Sequence, residues 1–176
     1  MLATLIVFQA TISDKLIASG RDQLTWGTTY DPRYTSIKYP GGDVDKKVGV
    51  CTDVIIRSYR AVKLDLQKLI IEHKRANMSL YPKGKLDPNI DHRRVKNMAV
   101  FFKARGAALP LNKDWKPGDV VYWILNNGRD HIGLVSDRKG ASGKYMVIHN
   151  MSTPLEEDVL GSWKIVGHYR FPKGHS

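Results

Sequence analysis

The chain of 176 residues holds one cysteine, Cys51. That excludes an intramolecular disulfide framework and any multi-thiolate zinc or iron–sulfur site, so a functional thiol would act alone. Long apolar runs are missing too. The strongest, Met1 to Ala10, covers ten residues, half of the roughly 20 that span a bilayer as a helix, and no transmembrane span is expected. The run has the length of a signal-peptide apolar region, but no Lys or Arg precedes it and no small-x-small cleavage site follows. An export signal with its start clipped and an N-terminal helix or strand docked on the core both fit it. Residues 1–12 are therefore set apart as a signal remnant or extension, ahead of a single domain over 13–176. No repeat, low-complexity block or domain-separating linker appears. Acidic residues are few: 17 Asp and Glu against 28 Lys and Arg give a net charge of +11. With 42% hydrophobic and 26% charged residues, the composition is that of a globular domain and not of a disordered, collagen-like or coiled-coil chain.

Periodicity divides that domain into two halves. A helix is expected from Ser13-Asp14 with Leu16, Ile17 and Leu24 inward, then turn-rich chain through Tyr30-Asp-Pro-Arg33 and Tyr39-Pro-Gly-Gly-Asp43. A second helix begins near Cys51 and carries Val54, Ile55, Tyr59 and Val62; Asp65 caps another with Leu66, Leu69, Ile70 and His73. A further helix carries Val95, Met98, Phe101 and Phe102 and stops at Gly106. Beyond it the period changes. Val120–Leu125, His131–Val135, Tyr145–His149 and Lys164–Phe171 read as antiparallel strands joined by turns at Asn126-Asn-Gly128 and Arg138–Lys144. The fold class is α+β.

Three residues stand where chemistry would need them. Cys51 falls where irregular chain hands over to a helix, and there the dipole and free N–H groups favour thiolate. The competing reading is a small buried hydrophobe. His131 opens a strand, and His149 ends the next one 18 residues on, within reach of it across a hairpin. A thiol at a helix start, a strand-initial histidine and a polar residue on the neighbouring strand are the elements of a nucleophile, a base and an orienting group. Each taken singly also fits a structural role. Asp53 suits first-turn capping, although its charge would also raise the thiol pKa. Asp91-His92-Arg93-Arg94 reads either as an exposed helix start with Asp91 as N-cap or as a grip for an anionic substrate. His73 and His168 read as structural.

The segments Cys51-Thr-Asp, Pro117-Gly-Asp-Val-Val-Tyr-Trp123, Asp130-His-Ile-Gly-Leu-Val135 and Val147-Ile-His149 resemble, in order and type, the NlpC-type cell-wall cysteine peptidases of the papain-like superfamily. From about Ser13 to Arg170 the chain also resembles the bacterial domain-of-unknown-function family 1287. That likeness rests on Thr29-Tyr-Asp-Pro32, Tyr39-Pro-Gly-Gly-Asp43, Gly49-Val-Cys-Thr-Asp-Val54, Asp87-Pro-Asn-Ile-Asp-His-Arg-Arg94, His131-Ile-Gly-Leu-Val-Ser-Asp137 and Gly167-His-Tyr169. The resemblance implies a papain-like fold with Cys51 as nucleophile, His131 as base and His149 as orienting residue. It implies that Tyr39 serves the oxyanion or lines the groove. Asp53, His92, Arg93, Arg94, Trp123 and Asn150 are the candidate substrate contacts.

Together these readings lead to a thiol hydrolase or acyl transferase cleaving an amide, most simply in peptidoglycan stem peptides, in the periplasm or outside the cell. The expected partner is peptidoglycan or another anionic wall polymer, toward which a basic protein is drawn at long range. No cofactor, no metal and a monomer are expected. One alternative is a non-catalytic wall-binding protein of the same fold. Another is a basic nucleic-acid-binding module stacking bases on Trp26, Trp115, Trp123 or Trp163; it lacks any recognised nucleic-acid motif, and no nucleic acid is expected.

Overall fold

The computed structural model describes residues 10–112 and 114–173. Most of the N-terminal apolar run, residues 1–9, lies outside them. Helix α1 (Ile12–Asp22) starts on a capping box: Thr11 Oγ1 accepts the Asp14 N–H at 3.1 Å and Asp14 Oδ2 accepts the Thr11 N–H at 2.9 Å. Leu24 falls in a short 3₁₀ turn beyond the helix end. Two-residue strands β1 (Thr29–Tyr30) and β2 (Val48–Gly49) pair in parallel, an element that alternation cannot announce at this length. Then come α2 (Cys51–Arg60), α3 (Leu66–Ala76), capped by the Asp65 carboxylate, and α4 (Val95–Ala104). Gly106, at φ +66°, takes the left-handed position that ends α4.

The second half is one antiparallel sheet of β3 (Val120–Ile124), β4 (Asp130–Lys139), β5 (Tyr145–Asn150), β6 (Pro154–Glu157) and β7 (Lys164–Tyr169). Its spatial order is β6-β5-β4-β3-β7. The fold is thus α+β, with β6 a strand beyond the four expected from the sequence. Strand alternation sends Val120, Tyr122, Ile132, Leu134 and Ile148 into the core shared with the helices. Val121, Trp123, Val135 and Val147 go to the other face, where Leu160 and Trp163 cover them. Val147, and by alternation His149, thus faces away from the helical half.

Helix α2 is the central piece. Every residue from Cys51 to Tyr59 is buried. Buried charge along it is paired: Arg57 Nε holds Asp43 Oδ2 at 3.0 Å, and Arg57 Nη2 reaches the carbonyls of Val44, Asp45 and Val48 at 3.2–3.3 Å. One guanidinium so gathers the loop that leads into Cys51, and the start of the helix is fixed from its interior.

Candidate active site

Cys51 is the first residue of α2, after an extended Val50. Asp53 caps that start, its Oδ2 accepting the Val50 N–H at 2.7 Å. The helix N-terminus meets the beginning of β4, where the backbone N–H of Ile132, next to His131, is near enough to lower the thiol pKa. Cys51 is only 4% exposed. Burial pushes its thiol up to about 12; the amides of Ile132, Thr52 and Cys51 itself pull downward, and the Asp53 charge adds to the rise. The expectation of a resting thiolate is reversed, because removing the anion from water costs more than a helix start and three N–H groups return.

His131 and His149 come together. His131 Nε2 lies 2.9 Å from His149 Nδ1, with the rings nearly perpendicular at 85°. Beyond, His149 Nε2 lies 2.9 Å from Glu157 Oε2 on β6. Burial pushes His131 down to about 3, with the His149 charge acting the same way. His149 is also lowered by burial, while Glu157 opposes the shift. Both rings are therefore neutral near pH 7. Three sites in line with a carboxylate at one end favour a single proton order: Nε2–H of His149 faces Glu157, His149 Nδ1 accepts Nε2–H of His131, and His131 Nδ1 keeps its lone pair. No hydrogen bond joins His131 to the Cys51 thiol among the described residues.

Trp123 is fully buried beneath the pair, stacked on His131 at 5.7 Å and 18°, with its Nε1–H donated to the Leu160 carbonyl at 3.2 Å. It packs against the His131 ring and is no surface contact for substrate. Asn150 takes the opposite face from His149, as the pleat requires, and its Nδ2 donates to the Gly49 carbonyl at 3.3 Å.

A cavity of about 210 Å³ opens beside the thiol, lined by Tyr30, Pro32, Val50, Cys51, Ile90, Arg93, Val95 and Asp130. Tyr39 is not among these residues. Its loop is tied elsewhere by Gln67, which accepts the Gly42 N–H and donates to the Lys38 and Pro88 carbonyls. Tyr30 stands at the cavity instead, held by β1–β2 pairing opposite Gly49. Burial and then the nearby Cys51 raise its hydroxyl pKa, so it remains an O–H donor.

The charged motif ahead of α4 is not an exposed helix start. Asp91 is buried, receiving Lys74 Nζ at 2.8 Å, the Asp87 N–H at 2.8 Å and Asn97 Nδ2 at 3.1 Å. His92 is buried and held down to about 4, first by desolvation, so it is a neutral packing residue. The two arginines part company. Arg93 turns inward to a bidentate pair with Asp53 (Nε–Oδ1 2.9 Å, Nη2–Oδ2 2.8 Å), whereas Arg94 is exposed at a neighbouring hollow with Lys96 and Asp130. Asp53 is committed to capping and to Arg93 and is closed to substrate. His168 is structural: it spans the Pro110 carbonyl and Asp119, under the stacked ring of Trp115. Among the described residues no group of three or more His, Cys, Asp or Glu is placed to hold a metal ion, and no helix is long and apolar enough to cross a membrane.

Fold and site together define an α+β protein with a buried helix-start thiol set against the strand that carries one of two touching histidines. The chain belongs to the family described as domain of unknown function DUF1287, which it matches over residues 17–171. It is 44% identical to the uncharacterized protein YijF of Escherichia coli (strain K12), in an alignment covering 96% of this chain and 86% of that protein. No solved structure matches it.

Proposed function

We propose that this protein is a cysteine hydrolase of papain-like, NlpC-type architecture that cleaves an amide in peptidoglycan stem peptides outside the cytoplasm. The observation that carries the reading is the ordered array itself: a helix-start thiol beside the strand that carries His131, and His131 within hydrogen-bond distance of His149. Substrate binding brings His131 Nδ1 to the thiol. Sulfur attacks the carbonyl carbon as the S–H proton passes to Nδ1; the C–N bond then breaks and the amine leaves with that proton. Water, deprotonated by the same nitrogen, hydrolyses the thioester, releasing the acid and restoring the thiol. His149 and Glu157 keep the imidazole in the accepting tautomer throughout. The N–H of Cys51 and the Tyr30 hydroxyl suit the oxyanion, a part that the family resemblance had given to Tyr39. The net charge of +11, with Arg94, Lys96 and Arg129 near the cavity, suits an anionic wall polymer.

One observation favours a second reading: a neutral, buried thiol lacking a bond to its base also suits a wall-binding protein without turnover. A nucleic-acid module has less support. Trp115 stacks on His168, Trp123 and Trp163 pack on each other, and Trp26 lies under Lys46 and Arg57, so no row of free rings remains. Purified peptidoglycan incubated with wild type and Cys51→Ala, with products read by mass spectrometry, separates the readings. New amine and acid termini from wild type alone establish hydrolysis. Retention on the polymer by both proteins without new termini establishes binding only.

A further inference from the structure

The 3₁₀ turn Met78–Leu80 follows α3, and none of its three residues is buried. Met78 is 43% exposed and Leu80 56%. The turn is held in that exposed position by a buried anchor, Tyr81. Its N–H is donated to the Met78 carbonyl at 3.2 Å and its hydroxyl lies 2.8 Å from His73 Nδ1, while the Leu80 N–H reaches the Asn77 carbonyl at 3.1 Å. Beside the turn lies a hollow of about 380 Å³, lined by Leu80, Pro82 and Val100 together with Lys96 and Lys103.

Charge around this apolar patch has one sign. Lys83, Lys85, Lys103 and Arg105 are all exposed, and Arg105 is near enough to His73 and Tyr81 for its charge to act on both. From residue 75 to residue 105 the acidic residues are Asp87 and Asp91, and neither is exposed. Asp91 is closed on Lys74, and Asp87 accepts the Tyr34 hydroxyl at 3.1 Å. Among the described residues Lys96 is the one cation of the patch with an ion pair, to Asp130 at 3.6 Å. A dissolved polyanion would satisfy the lysines but offers nothing to Met78 and Leu80. A bilayer satisfies both: its acyl boundary takes two apolar side chains without a shaped pocket, and anionic headgroups meet the cations, whose aliphatic stems lie along that boundary.

We infer that the Met78–Leu80 turn and the lysines beside it dock this protein peripherally on a membrane surface rich in anionic phospholipid. The hollow at this turn and the cavity at Cys51 share no lining residue. The inference therefore stands or falls separately from the hydrolase reading.

Co-sedimentation of the full chain with vesicles tests it, using mixed phosphatidylglycerol and phosphatidylcholine against phosphatidylcholine alone, each at low and high salt. Wild type should pellet with the anionic vesicles and stay in solution with the neutral ones. Met78→Ser/Leu80→Ser should lower the partition coefficient about tenfold, the size expected for two half-exposed apolar side chains leaving water. Lys83→Gln/Lys85→Gln/Lys103→Gln should lower it about a hundredfold at low salt, and by less as salt rises. Failure of wild type to pellet with anionic vesicles overturns the inference. So does equal partition of wild type and the apolar variant, which would leave only a field that any polyanion can satisfy. Retention on immobilised polyglutamate should be the same for these two proteins; a loss there matching the loss on vesicles would point to an acidic protein partner and overturn the lipid assignment. If the apolar variant fails to fold, an environment-sensitive fluorophore on Leu80→Cys in a Cys51→Ser chain decides. Its emission should shift to the blue with anionic vesicles, and unchanged emission refutes the docking.

Discussion

His131 Nε2 and His149 Nδ1 lie 2.9 Å apart, and the adjacent Asn150 turns away to the Gly49 carbonyl. A pleated strand offers only one of two neighbours to a given face, and here it is His149 that meets His131, the base of the proposed hydrolase. Loss of each residue should therefore cost turnover unequally. Cys51→Ala and His131→Ala should remove it; His149→Ala should lower kcat about 10²-fold, the low end for a misoriented base. Glu157→Ala, which leaves the histidine pair intact, should cost less than His149→Ala, and Asn150→Ala least. Peptide release from sacculi by each folded variant measures the order. Abolition by Asn150→Ala with near-normal His149→Ala would replace the array by Cys51, His131 and Asn150.

The raised thiol gives a second expectation. With Cys51 pushed up to about 12 and His131 down to about 3, the resting pair is thiol and neutral imidazole. Alkylation by iodoacetamide should climb steadily through pH 8.5, the value of an ordinary cysteine, and go on climbing at pH 10. A plateau reached below pH 7 would mean that a thiolate–imidazolium pair already exists in the free protein.

Acid stability follows from the same burial. His131 at about 3 and His92 at about 4 are depressed in the fold, whereas unfolded histidines titrate near 6.5. Below that pH the unfolded chain binds more protons than the native one, so stability falls as pH falls. Each histidine contributes a slope of about 1.4 kcal/mol per pH unit, between roughly 6.5 and its own folded value. The urea midpoint should drop from pH 7 to pH 5, and less so in His92→Gln. A midpoint that stays level over that range would show that the histidines accept protons inside the fold.

Long elements were legible in the sequence because apolar spacing, caps and turn signals are local to them. The apolar spacing of Leu66, Leu69 and Ile70 and the Asp65 cap marked α3, and apolar runs bounded by turn residues marked β3, β4 and β5, which are buried on both faces. What stayed hidden depends on partners distant along the chain. Tyr30 reaches the cavity through two parallel bridges to Val48 and Gly49, and Asp91 and Arg93 are buried only because Lys74 and Asp53 neutralise them. Neither pattern has a local period. The Thr29-Tyr-Asp-Pro32 segment was visible as a motif, but nothing in its spacing ties it to Cys51. The thiol pKa depends on the depth of Cys51, which a helix start in the sequence does not show.

Asp53 and Arg93 form a buried pair 2.8 Å apart at closest approach. Removing one partner leaves the other charged and dry, so Asp53→Ala should destabilise the fold by about 3–5 kcal/mol, the loss of the Val50 cap included. The double variant Asp53→Ala/Arg93→Met should recover part of that loss, since no uncompensated charge remains. Urea unfolding of both variants measures it. A double variant no more stable than Asp53→Ala would show that the cap, and not the ion pair, holds the start of α2.

Gly133, third in the His131-Ile-Gly-Leu run, explains why that run needs a glycine. A Cβ there would stand 2.5 Å from Val147 Cγ1 and 3.2 Å from both His149 Cβ and Trp123 Cζ3. Those side chains are fully or almost fully buried, and they pack the face of the sheet on which the histidine pair sits. A methyl group can enter only if the valine rotates or β5 moves away from β4. Overpacking of this kind costs about 1–3 kcal/mol, and the displacement falls on the strand that aims His149 at His131. Gly133→Ala should thus lower the urea midpoint and also lower turnover in the protein that remains folded, by more than Gly41→Ala. At Gly41 no atom lies within 4 Å of the added carbon, although φ is +76°, so backbone strain is incurred without disturbing the pair. Equal activity in the two folded variants would show that close packing under the histidines does not set their geometry.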